Sequence, residues 1–319
     1  MAPDDVDRFL LRRLPLPPCE GPKLKPFRYF RKDIEFLRLL SCDPTSKESY
    51  YGHGYVFDVR IGKERFALKV FKFYDAAEAR YEIDAPLRRK VSNETLTFHT
   101  DPFFAECRAY GKISQYYEGL YEKMRHKSRG SRLGPRHVEI KPIAVPCYGY
   151  ITLAAEYEEM LRDQFNVFDW NRPELEESGQ ITRKPFRALV KKLIPSGVSV
   201  SNPRRMLGDL RQLRKLGIFQ RDIYARNYKA GLLVDFSVAW TEPHWCLEVM
   251  GPYQLRLEKK RDLGMFDAMI KSEGIKTVVK ATRNREYCEK LRSHDIPDDS
   301  VTSSEWVRRH VLGLHPPKV

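Results

Sequence analysis

The sequence predicts an α+β protein of two lobes, a sheet-bearing lobe first and a mainly helical one after it. Three observations carry that expectation. The chain of 319 residues exceeds the ~100–200 residues that one core usually serves. Its first half alternates aromatic and β-branched residues around turn signals, whereas a leucine repeat at helical spacing comes late. Strand runs followed by helix runs are the pattern of an α+β architecture.

Residues 1–28 are rich in proline, as in "LPLPPCEGPKLKP". Each proline fixes φ and removes a donor, so a flexible tail is expected there. Phe30, Ile34, Leu37 and Leu40 then share one helical face up to Pro44, which predicts a helix. "GYVFDVRIGKERFALKVFKF" alternates on both sides of "IGKE", the form of an antiparallel hairpin. "DPFFAECRAYGKISQYYEGLYEKM" carries apolar residues at helical spacing behind an Asp-Pro start. "IAVPCYGYITLA" and "FRALVKKLI" read as strands on either side of an acid-rich stretch. "NPRRMLGDLRQLRKLGI" is an amphipathic helix that closes at Gly217, and Trp306 in "SSEWVRRHVLGLH" marks a last helix packed on the body. The organisation expected is therefore a tail (1–28), a sheet lobe with charged insertions (29–192) and a reduced helical lobe (193–319).

Composition narrows the class. Apolar residues make up 42% and charged residues 31%, as in a globular protein. No apolar run approaches the ~20 residues of a membrane span, and "MAPDDVDRFL" lacks the features of a signal peptide, so no membrane partner is expected. The cysteines (Cys19, Cys42, Cys107, Cys147, Cys246, Cys288) form no CxxC pair and read as separate reduced thiols, as in a nuclear or cytoplasmic protein. A net charge of +14 attracts nucleic acid, acidic proteins and phosphates. Lysine and arginine crowd residues 122–141, and acids crowd residues 156–177; both stretches read as solvated insertions on a compact core. His53 is expected in an exposed loop, and Tyr148, Tyr150 and Trp240 in the core.

The chemistry is concentrated in "GIFQRDIYARNYKAGLLVDFSVAW" (217–240). Asp222 stands in a loop, Asn227 follows five positions later, and Asp235 ends a hairpin strand whose turn is Ala230-Gly231. Phosphoryl transfer needs a carboxylate near the attacking hydroxyl and hard oxygen ligands for nucleotide-bound magnesium. Asp222 is thus the candidate base, with Asn227 and Asp235 the candidate metal ligands.

These motifs resemble those of the protein kinase superfamily, whose catalytic loop reads HRDxxxxN and whose metal-binding turn reads DFG. "QRDIYARN" keeps Arg221, Asp222 and Asn227 at that spacing, and "DFS" keeps Asp235 and Phe236. "FALKVF" is similar to the VAIK strand, which implies Lys69 on the α- and β-phosphates and Ala67 in the adenine floor. Val56 would cover the adenine from the other side. Glu106, on the helix after the hairpin, is the implied ion-pair partner of Lys69, ahead of Glu78 and Glu82. The departures are specific. Of the GxGxxGxV pattern only Gly54 and Val56 remain, with Ser49 and Tyr51 on the first two glycine positions. Gln220 replaces the histidine, Ser237 replaces the glycine after Asp-Phe, and "AWTEPHW" stands where an APE-like stretch would be.

The combination "GHGYVF…ALKVFKF", "PFFAECRAYG", "AVPCYGYITL" and "RDIYARNYKAGLLVDFSVAWTEPH" resembles, over residues 45–245, a fungal kinase-like family named after the Fta-two subunit of the Sim-four inner-kinetochore complex. The resemblance implies a protein-kinase-like two-lobe fold, with an antiparallel β N-lobe and a reduced, mainly helical C-lobe. It also implies ATP and Mg2+ as ligands of a working pocket, a place in the nucleus at the kinetochore, and kinetochore or chromatin proteins as partners. Three readings stay open: an ATP- and magnesium-dependent phosphotransferase, a pseudokinase scaffold without catalysis, and a basic protein that binds DNA weakly and non-specifically.

Overall fold

In the computed structural model the described residues are 11–41, 52–81, 88–89, 91–129, 140–172, 184–195 and 200–282. Residues 1–279 form one unit, to which every element below belongs. The helix expected around Trp306 lies outside the described residues.

The sheet lobe is built on five antiparallel strands, β1 (Ile34–Leu39), β2 (Gly54–Ile61), β3 (Glu64–Phe71), β4 (Cys147–Leu153) and β5 (Phe186–Lys192), in the order β1-β2-β3-β5-β4. The β2–β3 hairpin turns at Gly62-Lys63 as its sequence requires, and its register sets Val56 opposite Lys69 and Asp58 opposite Ala67. Both faces of this sheet are covered. Tyr55, Phe57, Val59, Leu68, Val70, Ala188 and Val190 point to one core, and Val56, Lys69, Leu189 and Lys191, one residue out of phase, face the other way.

Helices α1 (Ala76–Tyr81) and α2 (Asn93–Thr100) lead into α3 (Pro102–Arg129), the long helix expected behind Asp-Pro. Asp101 accepts the Phe103 N–H at 2.9 Å and so caps the entry to α3. The opposite face of the sheet is covered by α4 (Tyr157–Phe165) and the residues after it. Over its described part, residues 156–172, this corrects the reading of 156–177 as a solvated insertion. Leu161, Val167 and Trp170 are buried in the sheet core, and the acids lie on the outer side of the helix that carries them. Apolar residues at Tyr157, Met160, Leu161 and Phe165 keep helical spacing beneath that charge.

Two further expectations are overturned. The segment predicted as a helix from Phe30 is strand β1, because a bulge between Phe36 and Arg38 shifts the alternation and lets apolar residues fall at a spacing that mimics a helix. The proline-rich stretch is not a tail over its described part. Leu24 and Phe27 are buried, and the Phe27 N–H donates to the Tyr150 carbonyl at 2.8 Å, covering the free edge of β4. Gly149, at φ +136°, makes room for it: a Cβ there would meet the Lys25 carbonyl oxygen at 2.7 Å. Arg12 fastens the start of this strap by donating to the Phe30 and Lys32 carbonyls at 2.9 and 2.8 Å.

The helical lobe follows. Helix α5 (Pro203–Lys215) buries Met206, Leu207, Leu210 and Leu213, and Gly217 after it adopts φ +75°. Then come the two-residue strands β6 (Ile218–Phe219), β7 (Tyr228–Lys229), β8 (Leu232–Leu233) and β9 (Trp240–Thr241), with β6 paired to β9 and β7 to β8. Helices α6 (Trp245–Val249) and α7 (Pro252–Ser272) are the last two described helices. Arg108 on α3 ties the lobes together by donating to the Thr241 carbonyl at 2.8 Å and to that of Pro243.

His244 sits in this junction, 1% exposed, stacked on Trp240 and edge-on to His99. Burial, then the neighbouring His99 and Arg108, push its pKa down to about 2. The unfolded chain takes up a proton below the ordinary value near 6.5 while the folded chain does not, so stability falls as the pH drops. Between pH 7 and 5 this imidazole alone costs about 2 kcal/mol. Asp262, lifted to about 6 by burial against the pull of Arg214, titrates in the opposite sense. The effect is therefore read as a difference: the acid-induced loss of stability should be smaller in His244→Asn than in the wild type, and equal losses would refute it.

Candidate active site

A cavity of about 970 Å3 opens between the sheet and the helical lobe, within the range of small-molecule and cofactor sites. Gly54, Val56, Ala67, Lys69, Asp222, Asn227 and Asp235 all line it, and Glu106 is buried directly behind Lys69. Strand pairing explains the first group. Val56 and Lys69 are cross-strand partners, and Ala67 lies two residues before Lys69 on the same face of β3. Gly54 has a structural reason of its own: a Cβ there would lie 2.4 Å from the Val70 carbonyl oxygen, so glycine is required by the approach of the two strands. Ser49 and Tyr51 lie outside the described residues.

Lys69 is the hub. Its Nζ donates to Glu106 Oε1 and, at 2.9 Å, to Asp235 Oδ1. Glu78 is exposed on α1 and Glu82 lies outside the described residues, so Glu106 is the partner. Burial works against the Lys69 ammonium, but Asp235 and Glu106 outweigh it and raise its pKa. For Asp235, too, burial opposes the charge, yet Lys69 and a hydrogen bond with Glu106 hold the carboxyl well below the usual range. In Glu106 burial wins over Lys191 and Lys69, and its pKa is raised. Of the two acids, Asp235 is the firmly ionised one, and its side chain is 29% exposed toward the cavity.

The loop from Gln220 to Asn227 is assembled by its own hydrogen bonds. A 3-10 turn over Ala225–Asn227 brings the Asn227 amide back to the loop start, where Nδ2 donates to the Asp222 carbonyl at 3.0 Å and to Asp222 Oδ2 at 2.8 Å. Arg226 Nη2 donates to Asp222 Oδ1 at 2.9 Å. The β7–β8 hairpin is as tight as the short Asn227-to-Asp235 interval requires, and the Val234 N–H donates to the Asn227 carbonyl at 2.9 Å. Gln220 fills the place expected of histidine. Its buried amide donates to the Asp235 carbonyl and accepts the Arg221 N–H at 3.1 Å, so it joins the loop to the turn that follows Asp235. The Ser237 N–H donates to Asp235 Oδ1 at 2.8 Å.

Several residues of the site were not anticipated. Lys191 contacts Glu106 Oε2 from β5, and Lys192 at the end of that strand forms the cavity edge with Leu193 and Ile194. The alternation of "FRALVKK" carries this signal, since it puts Lys191 on the face opposite the core residue Val190. His53 is exposed in the bend that leads into β2, as expected, and lines the cavity rim, where desolvation followed by the nearby Lys69 lowers its pKa. Phe168 and Asp169 form a lip at the mouth, with Asp169 paired to Lys72 at 2.5 Å. Tyr150 is core as expected, but Tyr148 is 46% exposed, and half-buried Trp240 lies against the Arg221 guanidinium at 3.6 Å.

Residues 13–123 and 132–240 match the family model described as kinetochore Sim4 complex subunit FTA2. The chain belongs to that family. The match spans the strap, the sheet, Glu106, the loop of Asp222 and Asn227, and Asp235 of this FTA2-family chain. No curated protein matches it. Among solved structures it is similar to vaccinia related kinase 3, at 11% identity and a TM-score of 0.36, covering 94% of this chain and 83% of that one. It is also similar to a Neurospora crassa PAN3 pseudokinase mutant, at 10% identity and a TM-score of 0.36, covering 92% of this chain and 59% of that one. The protein-kinase-like two-lobe fold is carried by the FTA2-family chain's own geometry: an antiparallel sheet and a long helix joined by Lys69 and Glu106, facing a lobe that supplies Asp222, Asn227 and Asp235.

Proposed function

We propose that this chain is an ATP- and magnesium-dependent phosphotransferase working in a kinetochore complex in the nucleus. The observation that carries it is the bridge from Lys69 to both Glu106 and Asp235, set in one cavity with Asp222 and Asn227. The donor set fits the ligands. Magnesium takes one or two protein oxygens and completes its shell with nucleotide phosphates and water, and Asn227 with ionised Asp235 supplies hard oxygens. When bound, the nucleotide supplies the transferable phosphoryl group. Lys69 neutralises phosphate charge, Glu106 holds Lys69, Val56 and Ala67 bound an apolar slot for a base, and Asp222 receives the acceptor's proton. The kinetochore assignment rests on the family's description.

One observation favours a second reading, a pseudokinase scaffold: the only described glycine of the phosphate loop pattern is required by a strand contact, so the backbone cradle for phosphates is thin.

Thermal shift separates the two. A ligand at 100 times its Kd stabilises the folded state by about 2.7 kcal/mol. ATP or ADP with magnesium should raise the Tm of the wild type, and the rise should vanish in Lys69→Ala and in Asp235→Ala. No shift in the wild type would overturn the nucleotide reading and leave the scaffold.

A further inference from the structure

Lys191 is a buried cation with no part in the assignment above. Its side chain is 6% exposed, and its Nζ lies 2.5 Å from Glu106 Oε2 and 2.8 Å from the Val234 carbonyl oxygen. Glu106 is therefore held from both sides, by Lys69 on β3 at one oxygen and by Lys191 on β5 at the other. A single lysine would satisfy the needs of an ion pair. A second buried ammonium carries its own desolvation penalty, which is offset only where it makes good contacts. The contacts Lys191 makes are to the two parts of the site that belong to other elements: the side chain from α3, and the backbone just ahead of Asp235.

We propose that Lys191 is a positioning residue that clamps α3 and the Val234-Asp235 turn to the sheet, so that the nucleotide site stands assembled before any ligand arrives. The chain after Asp235 points the same way. Phe236, Ser237 and Ala239 are buried, and β9 pairs with β6 at once, Trp240 opposite Phe219. Ser237 is the one hydroxyl between Asp235 and Trp240, and it is 4% exposed, so that segment offers no accessible group whose modification could switch the site. The clamp also means that losing Lys69 does not strand Glu106, because Lys191 still pairs with it. This inference deepens the nucleotide reading, but its first test does not depend on it.

Hydrogen exchange on the ligand-free wild type is that test. Amides of 105–113 and 234–237 should be as protected as those of the β2–β3 hairpin, and adding ADP and magnesium should leave them so. Fast exchange there that slows on adding the nucleotide would overturn the clamp. In Lys191→Met both segments should exchange about ten-fold faster while the hairpin is unchanged. The Tm rise caused by ADP alone should persist in this variant, and the further rise caused by magnesium should fall by about half or more. Val190→Ala, which weakens the opposite face of the same strand, should lower the Tm without touching either segment or the magnesium increment. Wild-type exchange and a wild-type magnesium increment in Lys191→Met would sink the proposal. If the wild type takes no nucleotide, the exchange data alone decide it.

Discussion

Replacing Asp222 by asparagine is expected to lower phosphoryl turnover about 10²–10⁴-fold, the range of a lost general base. The substitution keeps the shape that the loop needs. The Asn227 amide donates to the Asp222 carbonyl as well as to its carboxylate, and an asparagine oxygen in the place of Oδ2 still accepts from Asn227 and from Arg226, which lies 3.2 Å from that oxygen. What disappears is the group that takes the acceptor's proton. Asp222 is not part of the Lys69–Glu106–Asp235 cluster, so nucleotide-induced stabilisation should be retained. Turnover should be followed as phosphate release or transfer, with the Tm measured on the same samples. Unchanged turnover in a folded Asp222→Asn protein would remove Asp222 from the role of base.

Trp170→Ala should cost about 3–5 kcal/mol of stability, the range for large aromatic truncations in a core. Trp170 is 2% exposed and meets Tyr55 at 4.9 Å and Phe186 at 4.6 Å between ring centroids. Its carbonyl also accepts the Phe73 N–H at 2.8 Å, which fastens the segment after α4 to the end of β3. A cavity under the sheet would loosen the strands that carry Val56 and Lys69. Denaturant titration of wild type and variant measures the loss. A value within ~0.5 kcal/mol, as for ordinary surface substitutions, would return residues 156–172 to the solvent.

Local patterns made much of the site legible. The β2–β3 hairpin is a matter of alternation and a short turn, and it sets Val56 opposite Lys69 without help from the rest of the chain. Asp222 and Asn227 are five residues apart and hydrogen-bond to one another, so spacing alone places them together. Charge and proline misled where they were judged by composition. The acid-rich stretch hides an apolar helical face, and prolines suit a strap along a sheet edge because it needs few donors of its own.

The sequence by itself determined the order of the lobes, the hairpin, the long helix and the pairing of Asp222 with Asn227 in one loop, since each depends on residues within a few turns of one another. Only the tertiary structure decided which acid meets Lys69, because Asp235 lies 166 positions from it and Glu106 lies 37. It also brought Lys191 to the second oxygen of Glu106, 85 positions away, and laid the proline-rich strap on β4. Such contacts form where folding closes long loops around buried charge, and their reward is the pairing of ions that cannot remain alone in a dry interior.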